Sequence, residues 1–151
     1  MALKGDRNVL ETDISFFLNE TAEKGQVLFH NTAGSGAAMD NSSALAKLTA
    51  EASGSIPLGI VLNDVVDIDQ TRQHINWHKD EVQKGGKVTI LTKGTVVTDQ
   101  ISGTTPTVGQ VAYAADNGKI SADQDGTAIA IGRFLSVQDA DSYAKVAVNL
   151  P

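Results

Sequence analysis

The stretch TRQHINWHKDE, Thr71 to Glu81, gathers the residues best able to do chemistry: His74, His78, the lone tryptophan Trp77, and the carboxylates Asp80 and Glu81. Imidazoles at positions 74 and 78 share one face of a helix, as the histidines of zinc hydrolases do. That motif also needs a glutamate directly after the first histidine, and Ile75 stands there. In an extended chain the residues sort differently: Thr71, Gln73, Ile75 and Trp77 on one side, Arg72, His74, Asn76 and His78 on the other. Two imidazoles on one face keep a metal-dependent hydrolase open as an alternative. A third ligand is missing from the pattern, since His30 ends the core-like strand QVLFH. The expectation is no metal and no cofactor.

Other motifs carry less. DVVDID (Asp64–Asp69) is acidic but lacks the glycine and distal glutamate of a calcium loop, so it reads as solvated. AGSGAAMD is followed by no Gly-Lys-Ser/Thr, as a phosphate loop would require. With no cysteine and no Gly-x-Ser-x-Gly elbow, nucleophilic catalysis has no anchor. One Trp, two Tyr and four Phe give little from which to build a sugar-stacking cleft. The residues therefore argue against an enzyme and for an interaction protein. Ile75 and Trp77 beside Arg72, His74, Lys79 and Lys84 make the apolar, aromatic and basic mixture found at interface hot spots.

The elements that must position these residues are strands. KVTILTKGTVV (Lys87–Val97) is β-branched, with Lys93-Gly94 as a turn signal. GQVAYAADNGKIS predicts a hairpin turning at Asn117-Gly118, and TAIAIGRFLSVQ followed by YAKVAVNL predicts a second. Only SSALAKLTAEA (Ser42–Ala52) has room for a turn of helix. The halves also resemble each other. LETDISFFLNETAEKGQVLFH aligns with VVTDQISGTTPTVGQVAYA, AKLTAEASGSIPLGIVL with GKISADQDGTAIAIGRFL (Gly59 falling on Gly132), and GKVTIL with AKVAVNL. The expected fold is all-β: one domain over 14–151, a small barrel or sandwich built from pseudo-repeats at about 8–91 and 95–150. An N-terminal arm covers 1–13. An excursion over 63–85, absent from the second half, holds the histidine stretch.

At 151 residues and 20% charged, the chain has the size and composition of one soluble globular domain. A net charge of −6 argues against general nucleic-acid binding, although Arg72, Lys79, Lys84, Lys87 and Lys93 outnumber Asp80 and Glu81 locally. No disulfide is possible without cysteine. MALKGDRNVLETD has no apolar core like a signal peptide's, and IPLGIVLNDVV is far short of the ~20 residues of a membrane helix, so no membrane is expected.

GKVTILTKGTVV, VGQVAYAADNGKIS, AIGRFL and YAKVAVNL together resemble the decoration (cement) proteins of tailed-phage capsids, over Gly86–Pro151 and, through the repeat, the first half. That resemblance implies a structural virion protein on the outer capsid surface, made in the host cytoplasm. It would bridge subunits of the major capsid protein as a homotrimer and so stabilise the head. A low-copy tail, neck or fibre-attachment protein is the alternative of the same class. An arm commonly contributes to attachment in such proteins, which points to Ala2, Leu3, Lys4, Gly5 and Asp6. The second candidate contact is Arg72, His74, Trp77 and His78.

Overall fold

The computed structural model describes residues 3–4, 7–18, 20–31, 45–62 and 88–150, with the backbone alone of 81–82. Six strands come first: β1 (Asn8–Asp13), β2 (Phe17–Leu18), β3 (Ala22–Glu23), β4 (Val27–His30), β5 (Leu45–Lys47) and β6 (Pro57–Val61). The two-residue β7 (Glu81–Val82) precedes β8 (Ile90–Thr98), which at nine residues is the longest described. β9 (Ile101–Ser102), β10 (Val111–Ala114), β11 (Ile120–Ser121), β12 (Ala130–Phe134) and β13 (Ala144–Asn149) follow. The chain is all-β, its described helical content a single 3-10 turn at Asp116–Gly118.

β8 organises the sheet. Leu91 pairs with Thr12 of β1 and Ile60 of β6, while Thr95 pairs with Asn8 of β1 and Ala147 of β13. A residue has only two lateral neighbours, so β1 keeps one edge of β8 while β6 and β13 share the other in succession. From that shared edge run two arms, β6-β4-β5-β2 and β13-β12-β10-β11-β9. The sheet is mixed and open. Its path ends at β2 and β9, with β3 and β7 paired apart from it.

The two arms carry one pattern of bonds. Val27, Leu28 and Phe29 oppose Ile60, Gly59 and Pro57, skipping Leu58; Val111, Ala112 and Tyr113 oppose Arg133, Gly132 and Ala130, skipping Ile131. Each bulge therefore falls at the same place beside a glycine. Gly25 N–H donates to the Val61 carbonyl at 2.9 Å, as Gly109 N–H donates to that of Phe134 at 2.8 Å. Short parallel pairs, β2 on β5 and β9 on β11, end both arms.

Burial follows from side-chain alternation. Val27, Phe29, Ile60 and Leu62 of the first arm join Ala112, Ile131, Phe134 and Val146 of the second in one core cluster. Leu28, Val61 and Ile90 point the other way, into a second cluster with Leu18, Ala22, Ala46 and Val88. The first arm is thus apolar on both faces and reads as unbroken VLF and IVL, whereas β13 alternates buried and less buried residues.

Two local expectations are corrected. Lys93-Gly94 is no turn but lies inside β8: the Asn8 carbonyl of β1 occupies the space a Gly94 side chain would need. Glycine serves close approach there. Within Ser42–Ala52, where a helical turn was allowed, Leu45–Lys47 form strand β5, because Phe29 and His30 supply an open edge and Ala46 is fully buried between its less buried neighbours. The Asn117-Gly118 hairpin is present, with Asn117 at φ 58° and Gly118 at φ 74° supplying the left-handed residues it needs.

Candidate docking sites

Of the N-terminal candidates, Leu3 and Lys4 are described and lie fastened to the body. Leu3 is 4% exposed within the core cluster and bridges Thr98 at the end of β8. Lys4 N–H donates to the Val97 carbonyl at 2.9 Å. Its ammonium stands 4.5 Å from the centre of the Tyr143 ring and 3.4 Å from Asp139 Oδ2. The loop between β12 and β13 builds this seat. Asp139 Oδ1 accepts the N–H groups of Asp141 and Tyr143 at 2.9 and 3.0 Å. The Tyr143 N–H is the main cause holding the Asp139 carboxyl below its usual range, with Asp141 and Lys4 adding to it. Desolvation, then Asp99, push the Tyr143 phenol up. Ala2, Gly5 and Asp6 lie outside the described residues.

Arg72, His74, Trp77 and His78 also lie outside the described residues, as does DVVDID. His30, which the sequence places in a core-like strand, is the exposed end of β4, its ring edge-on to Phe16 at 5.9 Å.

The fold assembles an acidic cleft that no local motif announced. Carboxylate oxygens of Glu51, Asp116 and Asp125 lie within 4.8 Å of one another. Asp116 and Asp125 also border a 460 Å³ hollow, lined further by Ser102, Asn117, Lys119 and Asp123. Asp116 Oδ1 accepts the Ala52 N–H at 2.7 Å, and Ser53 Oγ meets Thr127 Oγ1 at 3.1 Å, so a loop of each arm closes on the other. A Thr104 side-chain bond, then the backbone bond at 2.9 Å, holds Asp123 below the usual carboxylate range. Three sequence-distant carboxylates could ligate a hard cation, yet exposed acids commonly sit together without one.

The tightest recurrence lies at two turns. Gln26 N–H donates to the Glu23 carbonyl and Gln110 N–H to that of Thr107, with glycine third in each turn at φ 87° (Gly25) and 84° (Gly109). These are type II turns, which need positive φ there. In both, the glutamine side chain accepts the first residue's N–H: Glu23 to Gln26 Oε1 at 2.8 Å, Thr107 to Gln110 Oε1 at 3.1 Å. Turns locked from both sides are suited to presenting a surface rather than to moving.

A family model described as structural cement protein (E217 gp24/Pam3 gp6) matches residues 6–149. The chain belongs to this phage cement family. It is accordingly a structural virion protein that associates with capsid subunits, in keeping with a fold made of bulged strands and braced turns. A search of curated proteins returned no match.

Proposed function

We propose that this chain decorates the outer surface of a phage capsid as a homotrimer and stabilises the head by bridging adjacent capsid subunits. The family match over residues 6–149 carries the reading. The recurrence of bonds in the two arms supports an architecture of two pseudo-repeats. Core residues contributed by both arms favour a sandwich-like packing between them. A protein that binds the assembled lattice and not its separate subunits stabilises the lattice by mass action. Contacts by many copies then add where each alone is weak. The net charge of −6 keeps free copies apart until they meet the lattice. Arg72, His74, Trp77 and His78, with Ala2–Asp6, are the proposed contact residues; Lys4 would have to exchange Asp139 and Tyr143 for a capsid group.

Quantitative mass spectrometry of purified virions tests the proposal. A copy number comparable with that of the major capsid protein is expected, together with heads that rupture at lower temperature when the protein is stripped off. A few copies per particle would move it to the tail or neck.

A further inference from the structure

One face of the second arm joins exposed cations to apolar side chains. Arg133 of β12 pairs with Val111 of β10 on one side and Ala147 of β13 on the other, and Ala147 pairs in turn with Thr95 of β8. Directly paired residues point to the same side, so these four form a row across the sheet. Lys145 and Leu135 share that side by alternation, with Lys145 opposite Val97. Arg133 and Lys145 are exposed, Val111 is 43% exposed and Leu135 39%. Gly132 and Ala147 are small, and over them lies a 320 Å³ hollow bordered by Arg133 and Asn149. Among the described residues Lys4 and Lys93 have carboxylate partners, whereas Arg133 and Lys145 have none.

The complement stands elsewhere on the same chain. Glu51, Asp116 and Asp125 bring three carboxylates within 4.8 Å of one another, and no lysine or arginine pairs with them among the described residues. Glu51 and Asp125 are exposed. The chain's own excursion is fastened to the first arm instead: it leaves from Leu62, meets β3 through β7 and returns at Val88, beside Phe16. The row on the second arm is level with Thr95, about 20 Å along the chain from Thr89, the bonding partner of Leu62.

We propose that the Arg133 and Lys145 face receives the loops bearing Glu51, Asp116 and Asp125 of a second copy, with a carboxylate entering the hollow beside Arg133 and the apolar residues closing around it. This deepens the homotrimer reading and rests on it. The two surfaces are different parts of the chain, so the contact is heterologous and can close into a ring. Opposite local charge selects the partner, because acids that fit are carried by the chain itself. The net charge of −6 opposes approach, but at physiological salt its field fades within about 8 Å and leaves the facing patches to decide.

The test is sedimentation of the full chain, with binding to heads stripped of it measured in parallel. Wild type should self-associate, and at least tenfold more weakly at about 0.5 M salt than at about 0.05 M. Arg133→Glu with Lys145→Glu should weaken self-association tenfold or more at an unchanged circular dichroism spectrum. Glu51→Lys with Asp125→Lys should do the same, and all four substitutions in one chain should restore it. Salt-insensitive association, wild-type association by the Arg133→Glu, Lys145→Glu variant, or no recovery in the fourfold variant would each overturn the assignment. Lost head binding with self-association intact would give the face to the capsid, and a collapsed dichroism signal would give it to the chain's own packing; both also overturn it. A wild-type chain that stays monomeric would sink the homotrimer reading, and this inference with it. A wild-type oligomer that ignores the substitutions would sink the inference alone.

Discussion

The carbonyl oxygen of Ala147 fills the space that a β-carbon on Gly132 would require, so β12 lies against β13 only because residue 132 has no side chain. Gly59 stands in the same relation to the carbonyl of Leu91. One packing requirement thus occurs once in each arm, beside each bulge.

Gly132→Ala and Gly59→Ala should each destabilise the fold by about 1–3 kcal/mol, the usual cost of overpacking. At roughly 3 °C per kcal/mol for a chain of this size, calorimetry should show both Tm values fall together. Gly109→Ala meets open space and bears only the cost of its positive φ, about 1–2 kcal/mol. Since Gly132 has no positive φ, a loss there no larger than at Gly109 would show that the carbonyl contact does not dominate the glycine requirement.

Leu3→Ala should cost about 2 kcal/mol or more, since a buried leucine side chain leaves the core cluster. Lys4→Ala should cost less, its contacts being exposed. Chemical denaturation separates the two. A Leu3→Ala variant as stable as wild type would mean that the N-terminal segment is not fastened in solution.

Acid should loosen the Asp139 loop. A carboxyl whose pKa is lowered on folding contributes stability that is complete above its unfolded value, about pH 4, and is lost as pH falls through the folded value. Thermal unfolding between pH 7 and pH 2 should therefore show wild type above Asp139→Asn at neutral pH, the two converging in strong acid. A gap that persists at pH 2 would assign the difference to packing instead.

Trp77→Ala should weaken self-association or head binding at least tenfold while leaving Tm unchanged, as expected of an aromatic anchor at an interface. Analytical ultracentrifugation with parallel melting reads both. A large fall in Tm would make Trp77 a core residue.

Much of the fold was legible in the sequence because strands advertise themselves locally. Asn117-Gly118 can hardly be other than a hairpin turn, and the β-branched run from Lys87 to Val97 marked strand structure where β8 lies. Lys93-Gly94 misled because a glycine needed for the close approach of Asn8 has the same letter as one needed for a turn. The short helix allowed around Ala46 misled because the competing partner, β4, is distant in sequence. The acidic cleft was illegible for a related reason: positions 51, 116 and 125 meet only after both loops fold. The alignment of the halves did place Gly59 with Gly132 and the two Gly-Gln-Val segments together, and these occupy matching positions in the ladders. It could not show that β7 lands beside the first turn, since that pairing joins segments distant in sequence.

Leu3 is seated at Thr98 and Leu150 at Thr92, so the two ends of the described chain attach to opposite ends of β8, about 20 Å apart at strand spacing. A pull applied through the termini runs along that strand, not across it. The ladder from Ala144–Thr98 to Asn149–Lys93 then bears the load in shear, with its paired positions resisting together instead of opening one at a time. Such a geometry is stiff along the line of β8 and yields more readily across it.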